Sequence, residues 1–465
     1  MNEEKPVNDL APDVAEMLKT ATRTEIILRS NQVAALDAGM EARNLHAGLA
    51  VRPETAREVA AILTVCNEHQ VPVVAHGGRT GLAGAAISVP GELILLTDRL
   101  EGGIEIDPVE RVAVVSASVT QQELQEAAAV HGLSIGIDTA SRGSATIGGM
   151  ISTNAGGMEA FRFGMMRDRL LGIEAVLADG TIVEDLTRVS KANEGLDLKH
   201  FLCGAEGTLG IVTKAVIKLE AADPESSTTL LAVPGAASAL SVMRSVQDTG
   251  NLLLCEMMWR SYAEASARQT GRSQVLSFCP DAPAYLIVEA ALEQDALLAV
   301  MEPFFETGEV IDAVQAKSKR ESSEIWRIRE DSEAAAREVL NPLWFDVSIP
   351  LSRLDAYVTD LLTALREIDH GINCHLIAHL GDGNIHANIG RDAPWSREER
   401  DAVSLAVERG VKEMGGAVSA EHGIGVYKLD TLQRNAPSGN LAAMKTIKAA
   451  LDPKGILNPG KVFPT

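Results

Sequence analysis

The stretch HGGRTGLAG, residues 76–84, sets four glycines in nine positions immediately after the apolar run VPVVA at 71–75. VPVVA reads as a buried strand, so the glycines open at a strand's end. Glycine accepts backbone conformations that let successive N–H groups converge on one anion, the arrangement used for phosphates. The spacing is GGxxGxxG rather than the GxGxxG of a Rossmann fingerprint, and no acidic residue closes a βαβ unit at the expected distance. A GxxxxGKS/T loop is absent as well. Two further segments, GSATIGGMISTNAGG at 143–157 and CGAEGTLG at 203–210, are as rich in glycine and also follow strand-like runs. One such loop is as readily a turn as a cradle. Three together point to a diphosphate-bearing cofactor in a fold of another kind.

Around these loops the first 220 residues alternate strand-like and helix-like segments. GLAVR (48–52) precedes TAREVAAILTVCNEH (55–69), which Thr55 and Glu58 open as an S/T-x-x-E capping box. ELILLT (92–97) and RVAVVSASV (111–119) read as strands. A helix opened by Thr120 and Glu123 stops at Gly132, and LSIGI (133–137) follows. LLGIEAVLADGTIVE (170–184) reads as a hairpin turning at Asp179-Gly180, and GIVTKAVIKL (210–219) as a last strand. The polar ADPESSTT (222–229) marks a boundary. Three parts are expected: residues 1–221, an α+β domain over 222–420 with a long helical stretch around 318–340, and a C-terminal segment over 421–465 with a helix near 440–450.

A chain of 465 residues is too long for one core. Its 64 acidic against 42 basic residues give a formal charge of −22, without a Lys/Arg stripe. Nucleic acid is therefore not an expected partner, and anionic lipid would repel the surface. Cys66, Cys203, Cys255, Cys279 and Cys374 are scattered without CxxC spacing, which suits reduced thiols in a cytoplasm-like compartment, or the mitochondrial matrix of a eukaryote. The start, MNEEKPVNDLAPDVAEML, is acidic where a secretory signal would be basic and then apolar. No apolar run is long enough for a membrane span.

HLGDGNIH, residues 379–386, brackets a glycine-rich core with two histidines. Asp382-Gly383 reads as the two-residue turn of a hairpin, with His379 facing His386, Leu380 facing Ile385 and Gly381 facing Asn384. Directly opposed residues have Cβ atoms roughly 4.5–5.5 Å apart, and two imidazoles so placed could share one divalent metal.

HGGRTGLAG, ATIGGMISTNAGGMEAFRFG (145–164) and GAEGTLGIVT (204–213) resemble the FAD-binding loops of the vanillyl-alcohol oxidase/p-cresol methylhydroxylase (PCMH) superfamily. Within it, HLGDGNIH, VSAEHGIG (418–425) and LDPKGILNPGK (451–461) resemble the FAD-linked D-2-hydroxyacid dehydrogenases, which oxidise D-lactate, D-2-hydroxyglutarate or glycolate. The motifs run in the same order from about residue 48 onward. The resemblance implies an α+β chain: a PCMH-type FAD-binding domain of two subdomains, an α+β substrate (cap) domain, and a C-terminal helical segment completing the site. Gly77, Gly78, Thr80, Gly81 and Gly84 would wrap the diphosphate. Thr146, Gly148, Gly149, Thr153, Asn154, Ala155 and Gly157 would line its other side and reach the isoalloxazine. Glu206, Gly207 and Ile211 would contact the adenine half, and Asn458 the flavin. FAD is expected to be noncovalent, since the family's first loop lacks a tethering residue; His76 is the nearest candidate. Met150 stands where relatives often carry Asn or Val.

The same resemblance assigns the metal to His379, His386 and Glu421, with Zn2+ first among ions that suit such donors. His422 would be the general base, Arg329 of IWRIRE would hold the substrate carboxylate, and Asn388 would touch substrate. His375 would join His379 only on a helix, which Gly-Asp-Gly argues against. Dicarboxylate-specific relatives place a lysine where LWFDVSIP (343–350) has Trp344, so a D-lactate-like monocarboxylate is favoured, with D-2-hydroxyglutarate as the alternative. Expected partners are a small 2-hydroxyacid and an electron acceptor such as an electron-transfer flavoprotein, a quinone or a cytochrome; relatives commonly pair as homodimers. Rival readings are a zinc hydrolase using the same His/His/Glu set, which leaves the glycine loops unexplained, and an inactive flavin-binding subunit, which would lack the metal and base residues.

Overall fold

The computed structural model describes residues 12–22, 25–28 and 30–463; the acidic start over 1–11 lies outside them. Two compact units emerge. The first comprises Met1–Gly157, Phe163–Ala222 and Glu421–Thr465, and the second Met158–Arg162 and Asp223–Ala420.

The first unit holds two principal sheets. One contains β1 (Glu25–Leu28), β2 (Leu49–Arg52), β3 (Val73–His76) and β4 (Leu93–Leu96) in the order β1-β2-β4-β3. β4 runs parallel to both β2 and β3, and all four of its residues are buried, as a strand covered on both faces requires. The other contains β5 (Ile104–Asp107), β6 (Val112–Ser116), β8 (Leu170–Val176), β9 (Ile182–Asp185) and β10 (Ile211–Lys218), in the antiparallel order β5-β6-β10-β8-β9. A two-stranded ribbon joins β7 (Leu133–Ser134) to β11 (Glu220–Ala221). LSIGI thus forms a strand only over its first two residues.

Helix Ala56–His69 begins at Thr55, whose side chain accepts from the Glu58 N–H. It buries Val59, Ile62, Leu63 and Cys66 at helical spacing, in one core with Val73, Leu93, Ile173 and Ala175. Each such side chain contributes about 1.5–3 kcal/mol of burial. The tail returns to this core. The Val73 N–H donates to Ile456 O and the Asn458 N–H to Val73 O, so residues 456–458 extend β3's sheet.

The second unit is one antiparallel seven-stranded sheet: β12 (Ser227–Val233), β13 (Leu252–Trp259), β14 (Ala284–Ala290), β15 (Asp312–Gln315), β16 (Leu343–Ser348), β17 (Asn373–His379) and β18 (Asn384–Gly390), ordered β15-β12-β14-β13-β17-β18-β16. Alternation sorts its faces. Met257, Leu286, Leu376, Ala378, Ile385 and Ala387 enter a core covered by helices Ala236–Gln247, Leu354–Ile368 and Arg397–Glu408. Met258, Tyr285, Ile287 and Ile377 face the other way, under helices Arg260–Gln269 and Lys319–Glu330. The helix expected around 318–340 is broken: Lys319–Glu330 ends at Asp331, and the short Ser332–Ala336 follows. Among the described residues no helix is long and apolar enough to cross a membrane.

Candidate active site

In the first unit the three glycine loops converge. A Cβ on Gly78 would stand 1.8 Å from the Ser144 carbonyl oxygen, and one on Gly77 2.4 Å from Thr146 Oγ1. Loop 76–84 and loop 143–149 therefore pack backbone to backbone. Thr146 caps helix Ile147–Thr153 by accepting from the Gly149 N–H, while Gly148 packs on Ala117. Asn154 ends that helix in the left-handed region at φ 52°, and its Oδ1 accepts from the Arg167 N–H at 2.9 Å. Gly157, at φ +135°, is held so close to Asp138 that a Cβ would lie 2.1 Å from its carbonyl oxygen. Met150 fills the core beneath. Thr80 and Thr153 are partly buried beside these loops, and Gly81 is exposed.

The third loop braces the VSAEHGIG segment at Ile424 and Gly425. Glu206 is buried, and its oxygens accept from the N–H groups of Ile424 at 2.7 Å and Gly425 at 2.8 Å. Burial raises its pKa, and those two N–H groups oppose the rise. Both carboxylate oxygens are thus spent on the segment that carries Glu421 and His422. Asn458 donates to Ala85 O at 3.0 Å and Glu206 O at 2.7 Å, leaving its buried Oδ1 unpartnered. The Ile211 side chain lies in the core at the start of β10, and Gly207 takes a left-handed φ of 72°. A glycine-walled cradle with an orphaned buried acceptor fits a large, flat, diphosphate-bearing group. Gly84 abuts Val426 and Tyr427, and Gly425 abuts Ala83, so the first loop and the 424–427 segment also close on each other.

In the second unit the hairpin differs from the expected two-residue turn. His379 pairs with Asn384, Ala378 with Ile385 and Ile377 with His386, so four residues, 380–383, connect the strands. A type I′ turn needs positive φ at both central residues, and of Asp382 and Gly383 only Gly383, at 77°, has it. The Asp382 and Gly383 N–H groups both donate to His379 O, while Leu380 is fully buried with its N–H on Cys255 O. The register moves by two residues, and a shift of two keeps side chains on their face. His379 and His386 become diagonal neighbours, with ring centroids 5.1 Å apart and nearly perpendicular.

Glu256 on β13, fully buried and directly across from His379, was invisible to motif reading. Its Oε1 lies 2.8 Å from His379 Nδ1, and its Oε2 accepts from Arg329 Nε at 2.7 Å. Arg329 is buried on helix Lys319–Glu330, with Nη2 3.3 Å from His379 Nδ1. A carboxylate accepting from Nδ1–H would leave the lone pair on Nε2, which lies 3.5 Å from Arg329 Nη2; such an outer partner is one that metal-binding histidines usually have. On β16, Asp346 sits across from His386 and accepts from the Ala420 N–H at 2.9 Å, while Ser348 and Ala417 exchange N–H bonds at 2.9 Å. Residues 417–420 are thereby laid along β16, and Glu421 is the next residue in the chain. In the first unit the Glu421 carboxylate accepts from the Gly157 N–H at 2.9 Å. His422 lies between it and Gly423, which is left-handed at φ 77°. Asn388 is buried on the face that carries His386, with Trp344 directly across from it.

Residues 223–462 match the model of the FAD-linked oxidases, C-terminal domain, and residues 47–185 match the FAD binding domain. The chain belongs to the FAD-linked oxidases. It is 34% identical over 423 residues to a D-2-hydroxyglutarate dehydrogenase of Stutzerimonas stutzeri, covering 89% of this chain and 90% of that one. To a D-lactate dehydrogenase of Archaeoglobus fulgidus it is 33% identical, covering 89% and 90%. The crystal structure of p-cresol methylhydroxylase with substrate bound superposes with a TM-score of 0.72 at 15% identity, over 97% of this chain and 96% of that one. The PCMH-type α+β architecture is thereby shown, and the match to the FAD binding domain makes FAD the cofactor.

Proposed function

We propose that this FAD-linked oxidase oxidises a D-2-hydroxyacid to the 2-oxoacid with the help of a divalent metal held by His379, His386 and Glu421. The observation that carries the reading is the histidine pair on one sheet face, with His379 Nδ1 committed to Glu256, in a chain whose relatives are named for such acids. Two imidazole nitrogens and a carboxylate suit Zn2+, and leave positions for substrate oxygens. Bound FAD supplies the two-electron acceptor for the hydrogen on C2. A bound divalent ion acidifies a hydroxyl it touches. Arg329 balances the substrate carboxylate, Asn388 orients the substrate, and His422 removes the hydroxyl proton, the general-base role that imidazoles serve.

Noncovalent attachment of FAD is supported by His76, which is buried with Nε2 2.8 Å from the Ala86 carbonyl oxygen. Trp344, in place of a cation, supports a monocarboxylate. Electrons then leave to an acceptor of the electron-transfer flavoprotein, quinone or cytochrome kind. Anaerobic bleaching of the flavin by D- and L-2-hydroxyacids, with and without a chelator, tests the reading. D-acids should bleach it and chelation should slow the step. His422→Ala should stay yellow but reduce its flavin about 10²–10⁴-fold more slowly. Bleaching by L-acids alone, or a normal rate in that variant, overturns it.

A further inference from the structure

The sheet face that carries the two histidines, apolar at Ile377, continues past them to His375. His375 is directly across from Asn388 in the β17–β18 ladder, and Trp344 is directly across from Asn388 on its other side. Positions four apart share a face on a strand as they do on a helix, so His375 lies on the face of His379, although among the described residues the group that could hold a metal is His379, His386 and Glu421 without it. Its ring bonds the Ser261 backbone, and its Nδ1 is buried without a partner. Burial holds this imidazole below the usual histidine range; Glu338 opposes that shift and Arg268 adds to it. With one ring proton spent on Ser261, Nδ1 presents a lone pair. Trp344 is 40% exposed, an apolar ring left open beside polar neighbours. Arg268, which acts on His375, is paired with Glu338 at 2.6 Å.

We propose that Trp344, Asn388 and His375 receive the tail of the substrate and read it as a flat, uncharged group ending in a hydrogen-bond donor. This rests on the 2-hydroxyacid reading above and names the acid: one of the D-3-(4-hydroxyphenyl)lactate kind is taken ahead of D-lactate and ahead of a dicarboxylate. From His386 to Asn388 the strand advances roughly 7 Å, the reach of an aromatic ring carried on one methylene. The indole offers its face to that ring, and Nδ1 of His375 accepts from the phenol. A second carboxylate would set acceptor against acceptor.

The test is anaerobic flavin reduction of the holoenzyme with D-3-(4-hydroxyphenyl)lactate, D-3-phenyllactate, D-lactate and D-2-hydroxyglutarate, read as ratios of kcat/KM. The hydroxyphenyl acid should exceed the phenyl acid about tenfold, the effect of one hydrogen bond to a buried acceptor. His375→Leu should bring that ratio to about one, and His375→Asn, which keeps an acceptor, should restore part of it. Trp344→Lys should raise the ratio of D-2-hydroxyglutarate to D-lactate at least tenfold. A ratio near one in the wild type, a ratio untouched by His375→Leu, or D-2-hydroxyglutarate as the best of the four overturns the proposal. If no D-acid reduces the flavin, the 2-hydroxyacid reading fails; if D-lactate does and the aromatic acids do not, only the tail proposal fails.

Discussion

Nδ1 of His379 lies 2.8 Å from Oε1 of Glu256, and the other oxygen of that carboxylate holds Arg329 Nε at 2.7 Å. One buried acid thus sets the orientation of a proposed metal ligand and of the proposed carboxylate-binding arginine. Glu256→Gln keeps the shape and removes the charge. Partners of this kind typically govern metal affinity by about 10–100-fold. The variant should lose its metal at correspondingly lower chelator concentration while keeping FAD, measured by competition with a fluorescent chelator and by the flavin spectrum. Unchanged metal affinity would make Glu256 a partner of Arg329 alone.

Gly78 and Gly81 share a loop and differ in what a side chain would meet. On Gly78 a Cβ would lie 1.8 Å from Ser144 O, a backbone atom; on Gly81 it meets nothing within 4 Å. Gly78→Ala should force the two loops apart, cost about 1–3 kcal/mol, and weaken FAD binding. Gly81→Ala should leave the apoprotein's unfolding midpoint where it was, so any loss there appears only in FAD affinity. Thermal unfolding without FAD, beside a titration of flavin fluorescence quenching, separates the two. Equal destabilisation by both substitutions would contradict the cradle's geometry.

Local chemistry explains which parts of this arrangement could be read beforehand. The caps at Thr55 and Thr120 and the glycine loops each depend on a few adjacent residues, and so they showed. The shared face of His379 and His386 was legible, because parity survives a two-residue slip, whereas the register, which leaves Leu380 in the connection with its N–H on Cys255 O, involves a strand far away in the chain. Glu256 lies 123 positions from His379 in a strand that otherwise reads as plain core, LLLCEMMW, and no local pattern marks it. Glu206 was read as a cofactor contact from its motif, while its carboxylate is turned to Ile424 and Gly425, more than two hundred residues later.

His76 makes the first unit sensitive to acid. It is buried at the end of β3, with Nε2 on Ala86 O and Nδ1 without a partner. Burial chiefly, with Arg79 adding, lowers its pKa from 6.5 to about 3. Below pH 6.5 the unfolded chain therefore takes up a proton that the folded unit refuses until about pH 3. Stability is full above that window and falls with pH across it, by up to about 1.4 kcal/mol per pH unit. His76→Gln keeps an amide N–H for Ala86 O and cannot titrate. Chemical denaturation of the apoprotein at pH 7, 6, 5 and 4 should show a shallower loss for the variant than for the wild type. Parallel pH profiles would mean that other groups carry the acid sensitivity and that His76 is protonated as readily folded as unfolded.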